Sequence, residues 1–420
     1  MSLFQEKLEK YAQLAIRMGN NIQPGQRLLI LGRWLNRGVP PEITPFVREL
    51  VRAAYGAGAR YVDVLWADQV IDRIRFEMAP DDSFDEYPQW FVSALHEYLE
   101  RGDPTLVVSA EDPQMMADED PEKVAQAMQT AYGEFGPALE YVTSNKVNWN
   151  IICAPVQGWA DLVFPDASHE ERIDLLWEQI FAILQLDEDD PVEVWEKRLA
   201  KLESVREYLN HKHFSSLLFH GPGTELKVGL PEGHIWHGGK TTSQAGIEFA
   251  ANLPTEEVFT LPHRERVDGR VKATKPLSHA GNLIEDFEFE FEAGKIVGFD
   301  AGKGKQMLQK LLETDEGALR LGEVALVPHS SSISQAGILF YNTLFDENAA
   351  SHLAIGKSYP FTLEEGASMS SEEYLQRGGN SSHVHVDFMV GSNQLDIDGE
   401  TKAGKREAVM RAGEWAFEVD

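Results

Sequence analysis

Two rhythms of apolar residues alternate over the first 190 positions. Leu3, Leu8, Tyr11, Leu14 and Ile16 recur at helical spacing, whereas 26–31 is a short apolar run of the kind buried on both faces of a sheet. The alternation continues with a helix over 43–57 that ends near Gly56 and Gly58, a strand over 61–65 and a helix through 84–101. Next come a strand at 105–109, a helix near 121–132, a strand at 149–154 and a helix over 168–185. Strands and helices in this order predict an open, largely parallel sheet covered on both faces. A charged segment over 191–211 keeps helical spacing and reads as a connector. Beyond it the pattern turns to short alternating runs, SSLLFHG, TELKVGL and HVHVDFMVG, punctuated by Gly, Pro and Asp. Phe287, Phe289 and Phe291 alternate with Glu288, Glu290 and Glu292 before Ala293-Gly294, which predicts a hairpin with one wet face. The expected fold class is therefore α/β, with an N-terminal open α/β sheet domain over 1–211 and a β-rich α+β domain over 212–420.

Composition narrows the function. The chain has 420 residues, of which 43% are hydrophobic, enough for buried cores. With 38 Lys+Arg against 68 Asp+Glu, its formal net charge is −30, which repels phosphate backbones and disfavours nucleic acid as a partner. Cys153 is the single cysteine, so any metal must be held by His, Asp and Glu. No run of ~20 apolar residues spans a membrane, and the N-terminal sequence lacks the pattern of a secretory signal, so the expected compartment is the cytoplasm.

Familiar motifs fall away on inspection. The segments at 96–100 (HEYLE) and 169–173 (HEERI) lack the second His of a zinc-protease helix, and there is no G-x-S-x-G elbow. The glycines at 302–305 lack phosphate-loop spacing, and DIDG at 396–399 reads as a hairpin turn instead of a calcium loop.

The stretch that carries chemistry is Ser382–Val390. On a strand, His383, His385 and Asp387 project to one face while Val384, Val386 and Phe388 project to the other. Alone, this pattern fits a half-exposed strand as well as a ligand face. Further candidates are Glu323, opening GEVALVP, Glu256 and Glu257 in NLPTEEVFTLPH, and Asp346, Glu347 and His352 in DENAASHLAIG. On a regular helix Glu347 and His352 stand ~140° apart, so both reach one metal only if the turn breaks between them.

These pieces, together with KSYP at 357–360, resemble in their order and separation the aminopeptidase T family, thermophilic-type metallopeptidases that remove N-terminal residues with two metal ions. The opening helix and QPGQRLLI extend the likeness over nearly the whole chain. The resemblance implies metal ligands at Glu257 (with Glu256 the adjacent alternative), Glu323, Glu347, His352, His385 and Asp387, and an active-site tyrosine at Tyr359. His383 has no place in that pattern. Two divalent ions about 3.5–4 Å apart need one bridging carboxylate, here Glu323 or Asp387, and terminal carboxylate or imidazole ligands. Such ions activate water near neutral pH, and Tyr359 then has the role of a donor to the oxyanion. Glu323 and Glu256 are the candidates for general base. Nitrogen and oxygen donors suit zinc, cobalt, manganese or magnesium. The implied substrates are peptides with a free N-terminus, whose cationic end an acidic cavity attracts, although the same acid surplus also describes a merely soluble surface. The family resemblance further implies a homodimer. A non-catalytic ligand-binding protein and another metal-dependent amidohydrolase are the competing readings.

Overall fold

The run RLLIL becomes a central strand because both of its faces are covered. The computed structural model describes residues 2–33, 37–279 and 282–419. Contacts divide the chain into two units, Met1–Lys197 with Lys240–Pro254, and Arg198–Gly239 with Thr255–Asp420. In the first unit, the strands Tyr61–Val64, Arg27–Leu31, Thr105–Ser109 and Trp149–Cys153 lie side by side in that order, all parallel. Leu28, Leu29, Ile30 and Leu31 are all buried, which accounts for the unbroken apolar run. The helix Leu3–Leu14 buries Leu8, Tyr11, Ala12 and Leu14. Tyr11 stacks on Phe46 of the helix Thr44–Gly56 at 4.7 Å and donates its hydroxyl to the Cys153 carbonyl at 2.8 Å. The segment 240–254 joins this unit through its backbone: Asn150 Nδ2 donates to the Ala250 carbonyl at 2.7 Å, and the Ile151 N–H to the Ala251 carbonyl at 2.8 Å.

Several boundaries differ from the sequence expectation. The helix expected near 121–132 runs Pro121–Thr143, capped by Asp120 and continuing through Pro137. The helix expected from 84 starts at Gln89, since a 3-10 turn occupies Asp81–Asp85 and Pro88 takes the N-cap position. In the first unit, the helices Gln69–Met78 and Gln157–Val163 were not anticipated.

The second unit carries two antiparallel sheets. The larger contains the hairpin Asn282–Glu292 and Lys295–Lys303, with Phe287, Phe289 and Phe291 buried as their alternation predicts. DIDG is not a turn: Asp396–Glu400 is a strand of this sheet, pairing with Ser216–Gly221 and Arg406–Arg411, because Ile397 is drawn into the core. The smaller sheet has the order His385–Met389, His352–Gly356, Leu321–Leu326, Val258–Thr260, His237–Gly238. Phe388, on its inner face, meets Phe287 and Phe289 of the larger sheet with ring centroids 5.9 and 5.1 Å apart. Each such fully buried side chain contributes about 1.5–3 kcal/mol. With Phe388 inward, the pleat turns His385 and Asp387 to the opposite face.

Candidate metal centre

Strand register brings the acidic and imidazole side chains onto that opposite face. Glu323 pairs with Ala354, which pairs with Asp387; His352 pairs with Ala325 and Met389; and Gly356 pairs with His385. Paired residues of antiparallel strands share a face. Glu323, His352, His385 and Asp387 therefore project together, separated only by the small residues Ala325, Ala354 and Gly356. Glu257 lies immediately before the strand Val258–Thr260, which pairs with Leu321–Leu326, and its carboxylate reaches His352 on this face. The turn between Glu347 and His352 does break: a 3-10 segment Glu347–Ala349 is followed by extended Ala350 and the strand from His352.

Two groups of three result, Glu257 with Glu323 and His352, and Glu323 with His385 and Asp387, the ligand atoms of each lying within 4.8 Å of one another. Glu323 belongs to both. Its Oε1 is 3.5 Å from His352 Nε2 and its Oε2 is 3.9 Å from His385 Nε2. Glu257 Oε2 is 3.2 Å from His352 Nε2, and Asp387 Oδ1 is 3.5 Å from His385 Nε2. His352 Nδ1 lies 3.1 Å from the Ala350 carbonyl and His385 Nδ1 2.7 Å from the Lys357 carbonyl. A carbonyl only accepts, so each Nδ1 carries a proton and each Nε2 is turned toward the carboxylates.

The electrostatics are those of a crowded anionic cluster. Burial works against a charged His352, yet the Glu257 and Glu323 carboxylates outweigh it and hold the imidazole well above its ordinary range. Burial also opposes a charged His385, while Asp387 and Glu323 lift it to about 10. Burial pushes Glu323 up, and it pushes Glu347 well up, in the latter case reinforced by the charges of Glu257 and Asp387. For Asp387, burial is overcome by the neighbouring His385 and His352, which bring it below the usual carboxylate range. Glu257 Oε2 and Asp387 Oδ1 are buried and accept no hydrogen bond, although each faces an imidazole nitrogen. Donor atoms that converge without bonding to each other fit a shared divalent cation, and the oxygen and nitrogen donors are of the right kind.

The other expected residues surround this cluster at varying distance. Glu347 stands beside these groups, electrostatically linked to Glu257, Asp387, His352 and Glu323, but outside both sets of three. Tyr359 is half-buried, its ring 4.8 Å from that of His385 and stacked on Phe361 at 5.4 Å. Burial, followed by the charges of Glu323 and Asp387, keeps its hydroxyl protonated far above neutral pH. The Glu256 carboxylate is committed elsewhere: Oε1 accepts from Arg198 Nη1 at 2.7 Å and from Ser332 Oγ at 2.9 Å. Asp346 accepts the N–H groups of Phe340 and Asn342 at 2.8 and 3.0 Å. His383 does not share the ligand face; it is exposed and precedes the strand, its N–H donated to Asp315 Oδ2 at 2.7 Å. Arg198 and Ser332 were not singled out from sequence. One lies in the charged helix read as a connector and the other in a serine run, and neither context carries a spacing signal.

A profile of the thermophilic metalloprotease (M29) family matches residues 4–415. Aminopeptidase 2 of Geobacillus stearothermophilus is 46% identical over 419 residues, covering 100% of both chains. Aminopeptidase AmpS of Bacillus subtilis (strain 168) is 44% identical over 417 residues, covering 99% of this chain and 100% of the relative. The solved structure of wild-type AmpT from Thermus thermophilus superposes with a TM-score of 0.92 at 43% identity, covering 99% of this chain and 100% of that one. This chain belongs to the thermophilic metalloprotease (M29) family and is a metalloaminopeptidase, a hydrolase.

Proposed function

We propose that the chain releases N-terminal residues from short peptides using two divalent cations, one held by Glu257, Glu347 and His352, the other by His385 and Asp387, with Glu323 bridging. The observation that carries this reading is that the two oxygens of Glu323 face different imidazoles, His352 and His385. Bound divalent cations supply Lewis-acid polarisation of the scissile carbonyl and a water acidic enough to attack near neutral pH. Tyr359, held protonated, donates a hydrogen bond to the carbonyl oxygen as negative charge develops on it. Glu323, the carboxylate common to both groups, would be the nearest acceptor for the proton of the attacking water, through an oxygen not taken up by a cation. Glu256 is excluded from that role by its bonds to Arg198 and Ser332. The carboxylate-rich face favours a cationic peptide N-terminus over a carboxylate end. The donor set is compatible with zinc, cobalt, manganese or magnesium. The reading includes a homodimer in the cytoplasm, on the strength of the family likeness.

The test is to strip metal with a chelator, follow amino-acid release from unblocked and N-acetylated peptides, and restore divalent cations while counting bound metal per chain. Release should vanish on chelation, return with metal at two ions per chain, and be absent for acetylated peptides. Activity that survives complete metal loss, or indifference to acetylation, refutes the proposal.

A further inference from the structure

The strand beyond Glu257 makes its first ladder pairing at Val258, with Leu326 and Gly238. Glu256 and Glu257 thus sit just outside the sheet, and the ladder does not fix their backbone. A buried N–H there needs a partner from elsewhere. For Glu256 it is Asn348, fully buried, whose Oδ1 accepts that N–H at 2.6 Å. The other end of the same amide donates Nδ2 to the Leu344 carbonyl at 3.0 Å and lies 3.5 Å from Glu347 Oε1. Asn348 is itself held by Ser331, whose Oγ donates to its carbonyl at 3.1 Å, while the next residue, Ser332, holds the Glu256 carboxylate with Arg198. One planar amide therefore touches the backbone next to Glu257 on one side and the carboxylate of Glu347 on the other.

We propose that Asn348 is a positioning residue that sets Glu257 and Glu347 together toward one cation, acting through them without touching the metal. This rests on the metal-dependent reading above. Hydrogen-bond partners of ligand residues orient them, and losing one typically weakens metal affinity by ~10–100-fold. A residue serving only the fold lowers the stability of the metal-free chain but leaves affinity unchanged once the chain is folded.

The experiment measures cobalt and zinc affinity by competition with a chromophoric chelator, alongside the melting temperature of the metal-free chain, for wild type, Asn348→Ala and Asn348→Asp. Asn348→Asp keeps an acceptor for the Glu256 N–H but replaces the donor facing the Leu344 carbonyl and Glu347 with a buried like charge, so it separates the two contacts of the amide at a cost in stability. Affinity of the folded chain should fall by ~10–100-fold in Asn348→Ala and by at least ~10-fold in Asn348→Asp, with the metal-free melting temperature lowered in both. Wild-type affinity in either folded variant overturns the proposal, as does failure of both variants to fold. Uptake of metal by the wild type separates the two claims: with normal uptake and unchanged variants only the role of Asn348 falls, whereas a wild type that takes up no cation overturns the metal reading as well.

Discussion

Replacing Tyr359 by Phe removes a hydroxyl while leaving the aromatic body that packs on Phe361 and against His385. The group removed is a proton donor across the neutral range, because burial and the neighbouring carboxylates raise its pKa well above the ordinary tyrosine value. A preorganised donor to a developing oxyanion is worth about 10²–10³ in kcat. Tyr359 is half-buried, not sealed, so water partly substitutes for the lost hydroxyl and the lower end applies. The expected loss is ~10²-fold, about 2.7 kcal/mol at 1.36 kcal/mol per decade. The assay is steady-state hydrolysis of an unblocked dipeptide, with bound metal counted on the same preparation. kcat should fall while KM, metal content and thermal stability stay near wild type, because the interaction is made only in the transition state. A fall in kcat of less than about threefold with full metal content refutes a transition-state role. A fall matched by metal loss would place Tyr359 in the cation site instead.

Three other perturbations have defined outcomes. Glu323→Gln removes the charge shared by both ligand groups, so elemental analysis after dialysis should show both cations depleted and affinity weakened by ~100-fold or more; retention of one tight ion would mean that Glu323 does not bridge. Gly356→Ala places a Cβ 2.1 Å from the Val384 carbonyl at a backbone φ of +101°, on the residue paired with His385, so urea unfolding should show a loss of about 1–3 kcal/mol with weaker metal uptake. A loss within error would mean that the strand shifts freely. His234 is buried, its Nδ1 donating to the Pro231 carbonyl at 2.8 Å, and burial depresses it to about 4. The unfolded chain protonates near pH 6.5, before the folded one, so stability present above that pH is lost as pH falls toward 4. The loss between pH 7 and pH 5 is about 2 kcal/mol. Urea unfolding of His234→Phe should show a shallower slope over this range, and an identical slope would refute the assignment.

Elements whose burial matches their local periodicity were legible, and those that invert it were not. RLLIL reads correctly because a strand covered on both faces is nearly continuous in apolar residues, and FEFEFE because one face is wet. The helix Gln69–Met78 inverts the rule: Val70, Ile71, Ile74 and Met78 are exposed while Gln69 is buried, its amide spanning the Ala110 carbonyl and the Asp112 N–H at 2.7 and 2.9 Å. A hydrogen bond decides what the hydrophobic pattern would deny. The segment 240–254 was equally hidden, since it joins the first unit through its backbone and through Asn150, without an apolar repeat of its own.

The candidate metal face divides along the same line. Strand alternation alone projects His385 and Asp387 together, and it would have added His383. That residue leaves the face because Asp315 accepts the Ser382 hydroxyl at 2.8 Å and the His383 N–H at 2.7 Å, ending the regular strand before it begins. The choice between Glu256 and Glu257 has the same character. Adjacent carboxylates are indistinguishable in the string TEEVFT, and what separates them is a guanidinium 58 positions away and a hydroxyl 76 positions away that capture Glu256. Periodicity places a side chain on a face wherever the backbone is in a ladder, as it is for Glu323, His352, His385 and Asp387. Just outside a ladder, as at 256–257 and 347–348, orientation passes to individual long-range hydrogen bonds. The candidate ligands legible from local pattern are thus those borne by strands, whereas the hydrogen bonds that hold the Glu256 side chain and backbone come from Arg198, Ser332 and Asn348, which no local pattern marks.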